Sequence, residues 1–242
     1  MAVVHRPELV TDQLARPPWG ARGFTAEDPP VRIGTTGSGP DLLLLGWTAS
    51  QLATEIATGA RLFARLGIAP GMRVANTLAG ALVTPGCLLV GDVNEAIGAL
   101  DVPLGVVETD AAAKPAWELF DRVQVNVLIV EPGAGTTTFF AAAPAIDRPW
   151  WKGLLWLSRG GAAAPVPPPP GFAGWQRTWL AVPEATSFTA GSCAAGGFHA
   201  TEGIAAGVVD GELVVGIQRY ASRLRARAID PCPCGAGSAI AL

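Results

Sequence analysis

The sequence predicts an α/β fold, a largely parallel sheet flanked by helices. Three observations carry this. Short apolar strand-like runs alternate with amphipathic helical stretches through the middle of the chain. One of those helices announces both of its ends. With 242 residues, 50% hydrophobic and only 15% charged, the chain can bury both faces of a sheet.

The elements follow in order. Residues 1–30 show little periodicity and several prolines, so they read as an irregular arm in which His5 is solvated. Next comes "VRIGTTGSGP", a glycine- and hydroxyl-rich loop, and then a helix. Thr48 with Gln51 makes a capping box, Leu52, Ile56, Phe63 and Leu66 recur at helical spacing, and Gly67 sits at the C-terminal cap. "IAPGMRVANTL" reads as a turn into a strand. "GCLLVGDVNEAIGAL" reads as a helix with Cys87 in its core, and "VPLGVV" as the next strand. "AAKPAWELFDRVQ" and "VNVLIVE" repeat the helix–strand pair, and "GTTTFFAAAPA" with "GLLWLSRGG" repeats it again.

"GAAAPVPPPPGFAG" interrupts this rhythm. Pro165 and the run Pro167 to Pro170 lack N–H groups, which predicts an exposed, extended surface loop. "WQRTWLAVPE" is a further strand. "IAAGVVDGELVVGI" is a hairpin turning at Asp210-Gly211. The organisation expected is an arm over 1–30, an α/β body over 31–185 and a small β-rich end over 186–242.

Several function classes are disfavoured at once. Net charge is −3 and the only basic cluster is "RLRAR", a poor match to nucleic-acid binding. The longest uncharged run, Val74 to Gly91, is broken by Asn76, Gly80, Thr84, Pro85 and Gly86, so no membrane span is expected. No basic-then-apolar leader opens the chain, and four cysteines do not make a disulfide scaffold in this length, so a soluble cytoplasmic protein is expected.

Chemistry concentrates in three places. Cys193 and His199 lie in "GSCAAGGFH", Cys232 and Cys234 in "PCPCG". Three thiols and an imidazole are a zinc set, and four protein ligands would leave no open position, so the metal would be structural. The bland alternative is a few buried thiols and a surface histidine. The loop Gly34-Thr35-Thr36-Gly37-Ser38-Gly39 could wrap an anion with backbone N–H groups and hydroxyls. It lacks the Gly-Lys-Ser/Thr of a Walker loop, and a plain turn is the alternative. Glu184 follows a strand at the sheet end where ligand crevices form, and is the catalytic candidate beside the reading of a solvated loop glutamate.

The order of these pieces resembles the adenylate-forming superfamily, which includes acyl-CoA synthetases, adenylation domains and luciferases, and within it the phenylacetate–CoA ligase branch. "IGTTG" with Pro40 resembles that family's phosphate loop, "LGIAPGMRVANTL" its helix end and strand, and "LAVPE" its magnesium-binding glutamate motif, of which Glu184 is kept. Cys193, "GFH", "DGELVV" and "PCPCG" are similar to the zinc segment of the phenylacetate branch. The resemblance covers about residues 31 to 236. It implies an acyl or aryl ligand, structural zinc, and ATP or AMP with magnesium. Departures argue against the nucleotide. Ile33 stands where the family has serine, and the loop lysine is missing. Arg219-Tyr220-Ala221-Ser222-Arg223-Leu224 lacks the ribose-binding aspartate, and the family's C-terminal domain would begin where this sequence stops.

Three functions are therefore expected as alternatives. One is a reduced, non-adenylating relative that binds an acyl or aryl compound or a protein partner. Another is an ATP-dependent carboxylate–CoA or carrier ligase working with a separate C-terminal domain. The third is an ATP-independent enzyme that uses the same crevice on a thioester or biosynthetic intermediate.

Overall fold

The computed structural model describes residues 3–21, 23–80, 83–160, 166–216 and 220–242. Gly161 to Pro165 of the proline-rich stretch, Ile217 of the hairpin and Arg219 of the degenerate ribose motif lie outside these residues.

Helix α1 spans Arg6–Ala15, β1 spans Arg32–Thr36, and β2 spans Leu43–Trp47. Next come α2 (Ala49–Arg65), β3 (Arg73–Asn76), α3 (Cys87–Ile97), β4 (Leu100–Pro103), α4 (Asp110–Val123), β5 (Val127–Val130), α5 (Ala134–Ala141) and β6 (Gly153–Ser158). The remainder is strands: β7 (Trp175–Val182), β8 (Thr186–Ser192), β9 (Phe198–Ala200), β10 (Ala206–Val209), β11 (Glu212–Val215), β12 (Tyr220–Arg225), β13 (Arg227–Ile229) and β14 (Ala239–Ala241).

A nine-stranded sheet forms the spine, in the order β13-β14-β9-β8-β7-β6-β5-β3-β4. From β4 through β7 every pairing is parallel. From β7 to β13 every pairing is antiparallel. The sheet therefore runs straight across residue 185, where the sequence suggests a boundary.

The parallel strands read as unbroken apolar runs because both faces are covered. Val127, Ile129, Leu155 and Leu157 point to one face, where α2 and α3 pack through Leu62, Phe63, Leu66, Val90 and Val93. Leu128, Val130, Leu154 and Trp156 point to the other, against Trp117 and Phe120 of α4 and Phe139 of α5. Trp117 stacks on Phe139 at 4.4 Å and donates its indole N–H to the Phe139 carbonyl at 2.7 Å. A large aromatic thus buries its polar atom without an unpaired group.

The capping box at Thr48 and Gln51 forms as expected, with the Thr48 N–H donating to Gln51 Oε1 at 3.0 Å. The Asp210-Gly211 turn also forms, with φ of 50° and 77°. Five expectations need correction. The arm is not irregular, because α1 forms in it. The glycine-rich loop does not lead directly to a helix; it is the β1–β2 hairpin, Arg32 pairing with Trp47 and Thr36 with Leu43. The strand expected over "VPLGVV" begins earlier and ends at Pro103. Cys87 opens α3 and is only half-buried. Among the described residues, 166–170 of the proline stretch form no strand, but neither are they wholly exposed: Pro169 is buried and Val166 packs against the α4–α5 side of the core.

Candidate functional site

The glycine hairpin is held from three sides. The Thr84 N–H donates to Thr35 O at 2.8 Å, and a Cβ on Gly34 would overlap the Thr84 hydroxyl, so only glycine allows this approach. Arg159, after β6, donates to Pro85 O at 2.7 Å and to Glu131 Oε1 at 2.8 Å, so the same 84–85 segment is tied to the ends of β5 and β6. On the far side lies α1. Val10 packs with Leu43 and Leu45. Gln13 pairs with Leu44 as a neighbouring strand would: its Nε2 donates to Leu44 O at 3.0 Å, and its Oε1 accepts the Leu44 N–H at 2.8 Å.

This docking delivers Arg6 into the turn of the hairpin. Its Nη2 donates to Thr36 O and to Asp41 O, both at 2.6 Å. Its Nη1 pairs with Glu184 Oε1, and both side chains are nearly buried, 12% and 14% exposed. Gly37, at φ 78°, sits against the guanidinium, and a Cβ there would overlap Arg6 Nη2. Sequence reasoning missed Arg6, since nothing in residues 1–30 marks it. Of the expected loop, Gly34, Thr35 and Thr36 are strand residues, and Gly37 and Ser38 form the turn. The turn gives two carbonyl oxygens to a cation.

Glu184 lies in the tight turn between β7 and β8, and with Glu55, Gln51, Trp47, Phe24 and Tyr220 it lines a cleft of about 540 Å³. The structure therefore brings Glu184 beside the hairpin, a neighbourhood that the sequence leaves open. Glu55 is a second carboxyl that sequence reasoning missed, although it lies three residues after Leu52 and seven before Leu62, at the spacing of the apolar face of α2. It is 8% exposed and accepts from Thr186 Oγ1 at 3.0 Å and from the Ser187 N–H at 2.5 Å. Burial pushes its carboxyl above the usual range, against these hydrogen bonds, which favour the charged form. Leu224, at the position of the ribose-binding aspartate in the resemblance, packs instead against the Leu213–Val215 cluster.

A smaller hollow of about 200 Å³ opens off the carboxyl ends of β3 and β5, lined by Thr77, Glu131, Thr136 and Phe139. This is where the strand order reverses, since β4 lies on one side of β3 and β5 on the other.

The sulfur and nitrogen ligands meet at the antiparallel edge. Cys193 follows β8, His199 lies in β9, and Cys232 and Cys234 occupy the connection from β13 to β14. Their donor atoms all lie within 4.8 Å of one another, an arrangement that could hold a metal ion. The Cys193 and Cys232 sulfurs are 3.8 Å apart, matching the edge of about 3.8 Å between two thiolates on tetrahedral zinc. His199 Nε2 is 3.1 Å from Cys234 Sγ. Its Nδ1 lies 3.1 Å from Ser238 O, a carbonyl that accepts the Nδ1 proton and leaves Nε2 for a metal. Arg65 at the end of α2 clamps the β9 backbone, donating to His199 O and Ala200 O at 2.7 Å each. Burial opposes ionisation of Cys193, yet hydrogen bonds from His199 and the local backbone bring its thiol down to about 6. The residues present fit zinc as a closed, four-ligand site.

No family model matches the chain, and no curated protein matches it. Solved structures do. A 2-hydroxyisobutyryl-CoA ligase, solved in an open conformation with 2-HIB-AMP and CoA, superposes with a TM-score of 0.79 at 16% identity, over 100% of this chain and 58% of the ligase. An acyl-CoA synthetase (AMP-forming)/AMP-acid ligase II-like protein from Dyadobacter fermentans gives 0.58 at 13% identity, over 86% of this chain and 58% of its own. The N-terminal domain of FACL13 from Mycobacterium tuberculosis gives 0.56 at 14% identity, over 87% and 56%. At such identities the likeness speaks for architecture: this chain has the fold found in acyl-CoA ligases of the adenylate-forming superfamily, over a little more than half of their length.

Proposed function

We propose that the chain is a reduced, non-adenylating homologue of phenylacetate–CoA ligase-type enzymes that keeps an acyl- or aryl-binding cleft and a structural zinc. The observation that carries the first part is Arg6. A phosphate cradle aims N–H groups at its ligand. Here the turn aims Thr36 O and Asp41 O at a guanidinium, and Glu184 is paired with that same guanidinium. A polyphosphate entering this turn would meet two carbonyls and a carboxylate, and would first have to release Arg6. Breaking a largely buried ion pair by removing one partner costs of the order of 3 kcal/mol.

Support for the second part is the cleft itself, with Trp47, Phe24 and Tyr220 among its walls, large enough for an aryl or short acyl group. The zinc reading rests on the donor set and the second-layer contact at Ser238. Cys193, His199, Cys232 and Cys234 would hold the ion, and its role would be to join the β8–β9 turn to the β13–β14 connection.

The test is carboxylate-dependent exchange of labelled pyrophosphate into ATP, across aryl and fatty acids, with calorimetric titration of magnesium–ATP beside it. No exchange and no titratable nucleotide binding are expected. Exchange with any acid would overturn the reading and favour a ligase.

A further inference from the structure

Residues 4–6 approach the site from an unexpected direction. The Ala221 N–H donates to Val4 O at 2.9 Å, and Val4 bridges Tyr220 in parallel, so the residues just before α1 are tied to the start of β12. That pairing, together with the docking of α1, fixes Arg6 at both ends. Three oxygens from separate parts of the chain converge on its guanidinium: Thr36 O, Asp41 O and Glu184 Oε1. A carboxylate with two backbone carbonyls is also an oxygen set that hard cations use. The pocket around the guanidinium is fitted to it, since Gly37 leaves only the space of a missing Cβ.

We propose that residues 4–6 are a tethered occupant of a cation site, and that Arg6 decides which ligands the neighbouring cleft can take. With Arg6 seated, the Glu184 carboxylate and both carbonyls are committed to a guanidinium. A free metal ion finds its ligands taken, and a metal-bound polyphosphate is refused for the same reason. The ligands admitted are those that need no metal, such as a neutral aryl compound or a thioester. This last step rests on the reading of the cleft as an acyl or aryl site; the cation site does not.

The experiment uses zinc-loaded protein and terbium(III) as the probe, with luminescence excited through tryptophan, since Trp47 lines the cleft beside Glu184. Wild-type protein should give no saturable signal from this site. Arg6→Ala and Arg6→Gln should each gain one, binding terbium at least about tenfold more tightly than wild type. Methylguanidinium should displace the ion from both variants. Arg6→Lys should stay dark, because an ammonium still blocks the oxygens. Adding Glu184→Gln to Arg6→Ala should abolish the signal. Circular dichroism identifies any variant that has unfolded, and the Gln variant keeps the test alive if Ala does not fold. Equal terbium binding by wild type, or no gain in a folded Ala or Gln variant, would overturn the proposal. These outcomes involve no ATP, so they are separate from pyrophosphate exchange, which tests the non-adenylating reading alone.

Discussion

Glu55 shows what a single residue contributes and how it can be measured. Its carboxyl fastens α2 to the start of β8, two residues beyond Glu184, so it also sets the turn that carries Glu184. Burial raises its pKa above 4.5, so the folded chain keeps a proton that the unfolded chain releases. The sign follows from linkage: the folded state is favoured most below the ordinary carboxylate pKa, and that advantage is lost as pH rises through the raised value. Each unit of upward shift amounts to about 1.4 kcal/mol. Glu55→Gln removes the titration while keeping an acceptor for the Ser187 N–H. The stability of wild type minus that of the variant, from urea melts at a series of pH values, should therefore fall as pH rises above the ordinary carboxylate range and then level off. Burial also raises Asp101, which hydrogen-bonds Asn94 and Asn76, but that group is common to both proteins and cancels in the difference. A difference that stays flat or grows with pH would exclude this account of Glu55.

At the scale of elements, α2 is the one whose ends the sequence spells out. Thr48 is 2% exposed, and its hydroxyl and N–H are both paired with Gln51. Thr48→Ala should cost about 1 kcal/mol of stability, and Thr48→Ser much less, as read by thermal or urea unfolding. Equal losses would mean that the methyl packing of Thr48 outweighs its cap. The helices of the parallel region were legible from their spacing, as α2 is, and the strands as short apolar runs set between them. Helix α1 and the β1–β2 hairpin were not. Helix α1 is short and has one buried residue, Val10, with Leu14 76% exposed, so its periodicity is too weak to read. It is held by tertiary contacts, the Gln13–Leu44 pair and the Arg6 cage, that no local pattern encodes. The β1–β2 hairpin was hidden because "GTTGSGPD" is dominated by loop-forming residues. Thr35 and Thr36 are strand residues only because β2 lies opposite. The cluster of Cys193, His199, Cys232 and Cys234 was legible by residue type and spacing; the pairing of Glu184 with Arg6 was not, because the two are 178 positions apart.

On the scale of the whole molecule, the sheet has a strong half and a weak half. The parallel half is buried on both faces by two aromatic-rich clusters. The antiparallel edge is thin: β9, β13 and β14 have three residues each, and β14 meets β9 through one paired position, Ile240 with Phe198. A smaller cluster built on Leu180, Val182, Leu213, Val215 and Ile240 backs this region. Such short strands cannot hold their register by pairing alone. The Cys193–His199–Cys232–Cys234 set joins the segments on either side of the weak β9–β14 contact. A bound metal there would supply the free energy that the pairing lacks. Protein purified without added metal should contain about one zinc per chain. Stripping it with a chelator, or replacing Cys234 by Ser, should accelerate amide exchange most in residues 193–200 and 227–241. Amides of β3, β5 and β6 should keep their protection, because their neighbours on both faces do not depend on the metal. Midpoint temperature should drop only as far as the edge is coupled to the core through Arg65 and the two β9 carbonyls it holds. Zinc content near zero, or loss of protection spread evenly over the nine strands, would show that the edge stands without a metal.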